Sequence, residues 1–168
     1  MSPARAARLG ALALALAGLL PACGEVTPRQ VTPDEATSIP PGTATGASFS
    51  GTFFADRVTL EGCSCRRGPC FMVHTNTGTM TLTQSAGALT VVLVAPPLFS
   101  GGIDQDGRFS VGESTVVNTL RDTGVIHGTV RAQTSIEAII ETTIVGTVDT
   151  VTYDCDLQSS VHATYTGP

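Results

Sequence analysis

The chain has 168 residues, 42% of them hydrophobic, a formal net charge of −5 and no Trp. Its nine basic residues are all arginines scattered along the sequence, and an acidic chain without a basic cluster argues against nucleic-acid binding and against electrostatic attachment to anionic lipid. Low aromatic content (5%) removes the commonest stacking platform for sugars or bases, while the weight of Val, Ile, Leu and Thr favours strands.

Arg5 and Arg8 precede an apolar run from Leu9 to Leu20, followed by small residues and Cys23. A basic start, a short apolar core and a small-residue cleavage point make a secretory signal peptide over residues 1–22. The core falls short of the ~20 residues that a membrane span needs. Leu20-Pro21-Ala22-Cys23 resembles the lipobox of bacterial lipoproteins, from which Pro21 departs, since small or aliphatic residues are commoner there. The resemblance implies export, diacylglyceryl transfer to the Cys23 thiol, cleavage before Cys23 and acylation of its amine. It implies a cell-envelope protein whose membrane contact is the Cys23 lipid anchor, and Gly24 in the next position points to the outer membrane. Each buried acyl methylene contributes ~0.8 kcal/mol, so several acyl chains anchor a protein almost permanently. Cleavage would remove Arg5 and Arg8 and leave seven arginines against fourteen acids, a net charge of −7.

From Gly24 to Ala47 the chain is rich in Pro, Thr, Ala and Gly and lacks apolar periodicity, so residues 23–47 are expected to be a lipidated cysteine and a disordered tether spanning roughly 25–30 Å. Residues 48–168 then read as a single β domain. Met80 and Leu82 alternate with Thr79, Thr81 and Thr83, as in a half-buried strand. Ala88 to Ala95 is a continuous apolar run suited to a strand covered on both faces, stopped by Pro96-Pro97. Ile103 to Val111 reads as strand, Gly-containing turn, strand. Over 135–145 the alternation of a strand competes with a short helix capped by Ser135, and the β-branched density favours the strand. Near the end, Val151, Tyr153, Cys155 and Leu157 share one face, with Asp154 and Asp156 on the other as a solvated surface. The pattern predicts a mainly β fold, an antiparallel meander closed as a small barrel or sandwich.

Four cysteines remain beyond Cys23, namely Cys63, Cys65, Cys70 and Cys155, and an even number in an exported chain reads as two disulfides. Cys63–Cys65 is the poorest pairing, because side chains two apart on an extended strand diverge at the edge of disulfide reach. Either Cys63–Cys70 with Cys65–Cys155 or Cys65–Cys70 with Cys63–Cys155 would staple the Arg66-Arg67-Gly68-Pro69 loop to the last strand pair. A four-thiolate metal site is the competing reading. Cys-x-Cys-x4-Cys lacks the paired Cys-x-x-Cys of zinc ribbons, and no metal or other cofactor is expected. Asp104-x-Asp106-Gly107 opens like a calcium loop, but its twelfth position is Thr115, so a polar hairpin turn is expected. His74, His127 and His162 stand far apart within strands, where a hydrogen-bonded structural histidine is usual. No Gly-x-Ser-x-Gly or His-Glu-x-x-His occurs.

The expectation is therefore a non-catalytic envelope lipoprotein with a structural or partner-binding role. Arg66 and Arg67 are the candidate contact for an anionic envelope protein. The alternatives are a carrier holding a small apolar ligand among Leu89, Val91, Leu93, Ile136 and Ile140, as lipocalin-like barrels do, an envelope enzyme, or a protease inhibitor.

Overall fold

The computed structural model describes residues 26–46, 48–70, 77–93 and 98–168. One short helix, α1 (Pro33–Thr37), precedes eight strands: β1 (Gly51–Arg67), β2 (Gly78–Ser85), β3 (Ala88–Leu93), β4 (Leu98–Ile103), β5 (Arg108–Val117), β6 (Leu120–Arg131), β7 (Ser135–Val148) and β8 (Val151–Gly167). Every strand pairs antiparallel with its sequence neighbour, and β8 returns to β1, so the meander closes as a barrel rather than a sandwich. The segment 135–145 is strand throughout, as its β-branched residues favour. β3 is covered on its inner face only: Leu89 and Val91 are buried while Ala88 and Val92 are exposed, which corrects the expectation of a strand covered on both faces.

The barrel interior is read along rows of register partners. Val111, Ile126, Ile140, Ser159 and Leu60 form one such row, and the described rows below it are apolar or small. Phe53, Met80, Leu82, Leu89, Val91, Phe99, Ile103 and Ile136 fill this part as one contiguous core. Eight strands leave room for little else. Toward the end carrying the 118–119 and 149–150 turns, the rows become polar. One holds Glu113, Gly124, Thr142, Leu157 and Cys63, and the next holds Thr115, Asp122, Ile144, Cys155 and Cys65. A second, smaller core of Ile144, Cys155 and Leu157 packs there with Leu60, Cys63, Cys65, Leu120 and Tyr153.

Along the closing seam between β1 and β8 one register shift, between Thr52 and Phe53, leaves Thr166 of β8 over, and at the other three, all β-bulges, one residue on β8 opposes two on β1. The extra residues are Asp56, Glu61 and Arg66, and each bonds to β8. Asp56 accepts from Thr164 Oγ1 at 3.1 Å and lies 2.8 Å from His162 Nδ1, Glu61 accepts from Ser160 Oγ at 2.5 Å, and Arg66 donates to Asp154 and Asp156.

Residues 26–46 correct the expected disordered tether: they form a strap across the outside of the barrel. Thr32 caps α1 by accepting from Glu35 N, with Pro33 opening the helix and Asp34 and Glu35 in its first turn. This turn sets Ala36 onto β5 and, with Val31 and Ile39, covers the outward-facing Val125. Arg29 bonds Glu141 at 2.8 Å, Val31 N donates to Thr143 Oγ1 at 2.7 Å, and Thr43 donates through N and Oγ1 to Asp104 Oδ1 at 2.9 and 3.0 Å. The close approach depends on glycine: a Cβ on Gly112 would fall on the Ala36 backbone, and one on Gly87 on the Gly42 carbonyl. An aperiodic segment can thus be ordered, because its partners lie on the barrel wall and not along its own axis. Gly112→Val is expected to lift α1 and lower stability by roughly 1–3 kcal/mol. Unchanged thermal unfolding, with 26–46 still resistant to limited proteolysis, would refute the seating.

Candidate functional site

The chemically distinctive groups gather at the rim formed by the end of β1, the start of β8 and the loop after β1. The cysteines pair as Cys63–Cys70 and Cys65–Cys155, the first of the two arrangements left open by the sequence. Cys65 and Cys155 face each other in register across the seam, and Cys63 follows on the same inner face two residues away. The two bridges touch: Cys63 Sγ lies 3.8 Å from Cys65 Sγ, and Cys65 Sγ lies 3.5 Å from Cys70 Sγ. Cys155 is fully buried while Cys70 is exposed, so one flank of this sulfur cluster faces the core and the other faces solvent.

Arg66 does not present a bare charge to a partner. Its Nε donates to Asp154 Oδ2 at 3.0 Å and its Nη1 to Asp156 Oδ2 at 2.7 Å. These bonds hold the guanidinium well above, and the Asp154 carboxyl below, its ordinary range. Asp156 is only 3% exposed, which corrects its reading as a solvated surface acid. Its second oxygen accepts from Thr143 Oγ1 at 2.7 Å, and Thr143 Oγ1 in turn accepts from Val31 N. A continuous polar path therefore joins the disulfide rim to the strap. Arg67 is exposed beside it at the end of β1, so neither arginine lies on the expected loop but both on the strand.

Inside the barrel at this end, Glu113 and Asp122 lie on adjacent inward rows of β5 and β6. Burial raises the Asp122 carboxyl to about 6, and burial with the neighbouring Asp122 charge raises Glu113, although Thr115 Oγ1 donates to it. Two interior carboxylates were not singled out from the sequence. The signal was present in their parity, since each falls on the apolar face of its strand.

The remaining sequence candidates are structural in setting. Asp104 sits in the hairpin turn between β4 and β5, where Gly107 N donates to its carbonyl, and its carboxylate holds Thr43. His127 and His162 point outward, into a depression where Ile139 is the register partner of His127. Ser110 Oγ is 2.9 Å from His127 Nδ1, and His127 Nε2 is 3.9 Å from Glu141 Oε2. Hydroxyl, imidazole and carboxylate thus align on the wall, but Ser110 and His127 open into different surface depressions and Glu141 is held by Arg29. The depression at His127, about 570 Å³, is lined also by Arg57, Glu61, Glu137 and His162 and lies on the outer wall of β6, β7, β8 and β1. Leu89, Val91, Ile136 and Ile140, expected to line a ligand cavity, are buried in the main core, with Leu93 packed against it. Cys23, the leader and His74 lie outside the described residues.

Asp122 makes stability depend on pH with a definite sign. A carboxyl raised in the folded state is protonated there while the unfolded chain has already ionised, so its cost grows as pH rises from about 4 to about 6. Asp122→Asn is expected to leave unfolding unchanged near pH 4 and to stabilise by about 3 kcal/mol above pH 7, read from denaturant melts at both pH values. The touching bridges make a second prediction. Cys155→Ser frees the Cys65 thiolate to attack Cys70 Sγ and release Cys63, so peptide mapping without reduction should find both Cys63–Cys70 and Cys65–Cys70. Recovery of Cys63–Cys70 alone would show that the contact is not competent for exchange. Compared with known proteins, the chain matches no family model, no curated sequence and no solved structure, so its function is argued from its own residues.

Proposed function

We propose that this chain is a non-catalytic lipoprotein of the bacterial cell envelope, acylated at Cys23, that displays a disulfide-stapled barrel at the membrane surface in a structural or partner-binding role. The observation that carries the reading is the Leu20-Pro21-Ala22-Cys23 motif after a basic, apolar leader. Two disulfides support it, since such bonds persist in oxidising compartments. The polarity of the barrel supports surface display over insertion. Asp56, Arg57, Glu61, His127, Glu137 and His162 face outward and the main core of aliphatic residues inward, with exposed aliphatics such as Leu98, Val116 and Val145 scattered among polar residues and not forming the continuous apolar band of a barrel that spans lipid.

The strap changes how display would work. The Val26 carbonyl already lies against Gly62 of β1, so only two residues separate the described chain from Cys23. At most ~3.6 Å per residue, an acyl group on Cys23 would sit about 10 Å from the barrel wall, not at the end of a long tether. The barrel would ride against the headgroups with its β1–β8 side toward them. Cys23→Ser expressed with its leader is expected to move the protein from the membrane fraction to the soluble fraction and to remove the acyl mass from its N-terminal peptide. Retention in the membrane fraction, or an unmodified N-terminal peptide in the parent protein, would end this reading.

A further inference from the structure

The sulfurs of Cys63, Cys65 and Cys70 lie within 4.8 Å of one another, closer than two independent staples require, and Cys155 is bonded to Cys65 beside them. We propose that these four sulfurs form a convertible site: two touching disulfides when oxidised, and a four-thiolate site for a tetrahedral d10 cation of the zinc class when reduced. Zinc–sulfur bonds of about 2.3 Å in a tetrahedron place the sulfurs about 3.8 Å apart. Cys63 to Cys65 is already 3.8 Å and Cys65 to Cys70 is 3.5 Å, and these three sulfurs all lie within 4.8 Å of one another. Cys155 is bonded to Cys65 and completes the set.

The two bonded edges must lengthen, by less than 2 Å on a tetrahedral estimate, and the Cys155 sulfur, which lies outside the 4.8 Å group, must swing toward Cys63 and Cys70 by about 1 Å or more, movements that side-chain rotation supplies. The backbone holds the positions of three of the ligands without the disulfides. Cys63 and Cys65 pair in register with Leu157 and Cys155 along the seam, and the Arg66 bonds to Asp154 and Asp156 fix the adjoining bulge. Ile144, Leu157, Leu60 and Tyr153 wall the site on the core side, and the exposed Cys70 gives the cation its entry. The Cys-x-Cys-x4-Cys spacing hides this arrangement, because the fourth ligand arrives from β8, ninety residues away from Cys65.

The chemistry balances with a dithiol as reductant. Two dithiols are oxidised to two disulfides, and their four electrons and four protons convert Cys63–Cys70 and Cys65–Cys155 into four thiols. A divalent cation then displaces the four protons and leaves a site of net charge −2, beside Arg66 and Arg67. With two small-molecule disulfides as oxidant, which take back the four electrons and, with four protons from water, leave as two dithiols, the same sulfurs return to two bridges and release the cation. The site would therefore take up zinc only where a dithiol donor reaches it.

The test uses the full chain purified in its oxidised form, treated without air with a phosphine, which together with one water per disulfide becomes the phosphine oxide. Cadmium and zinc are then titrated separately. The expected result is one equivalent bound, with a thiolate-to-cadmium charge-transfer band, all four thiols masked from a thiol reagent, and the strand circular dichroism of the oxidised protein retained. The oxidised protein should bind none, and Cys155→Ser should weaken binding at least about tenfold. Uptake that leaves any of the four thiols reactive, uptake unaffected by Cys155→Ser, loss of the strand signature in the metal-loaded protein, or no uptake at all would each overturn the proposal.

Discussion

Closure of the first strand on the last is the constraint from which the rest of this structure follows. β1 and β8 each run 17 residues, and their pairing continues past the point where the shorter strands end. A seam of that length in a narrow barrel must curve strongly, and the bulges at Asp56, Glu61 and Arg66 supply the curvature. Each leaves a polar side chain that β8 must satisfy, and His162, Ser160, Asp154 and Asp156 do so. Cys65–Cys155 then locks the seam covalently. Its sequence separation of 90 would contribute about 4–5 kcal/mol by restricting the unfolded chain, whereas Cys63–Cys70 spans only 7 and chiefly shapes the loop.

The seam also orders what lies outside it. Asp156 would be a costly buried charge without Arg66, and with Arg66 its other oxygen is available to Thr143. Thr143 in turn takes the Val31 amide, so strap, β7, β8 and β1 share one hydrogen-bonded path. Apolar cover completes the attachment: Val31, Ala36 and Val125 are each at most 1% exposed although all three lie outside the barrel. Among the described residues the fold thus has three apolar cores, two enclosed by the sheet and one trapped between sheet and strap.

Much of this was legible in the sequence, and the failures have a common cause. Period-two alternation identified strand at 79–83, 135–145 and 151–157 with its apolar face, and the spacing of the cysteines confined the bridges to two arrangements, one of which the structure adopts. What alternation cannot report is which outward positions are covered. Gly112 and Val125 sit on outer faces that are mostly polar, and they mark the track of the strap. They stand out only once the strands are aligned side by side, because Gly112 and Val125 are register partners. The strap itself has no period because it crosses strands and does not join them. Arg66 was misplaced for a related reason: a bulge adds one residue without altering composition, and only the register shift reveals it. Asp122 and Glu113 were masked by their own chemistry, since an acid on an apolar face is easily counted with the solvent side.

The strap fixes the chain from Val26 onward against the barrel wall, which a free tether would not do. A flexible tether transmits force only when extended, and it leaves the orientation of its cargo undefined. Here the chain meets the wall at Gly62, is fixed at Arg29 and Val31, and is clamped again at Thr43 by Asp104 on the opposite side of the helix turn. Anything joined to the chain just before Val26 is therefore referred to the β1–β8 seam, through Thr143, Asp156 and Arg66, to the most heavily cross-linked part of the barrel. The start of the strap, the closing bulges and the sulfur cluster thus meet along one stretch of the β1–β8 seam.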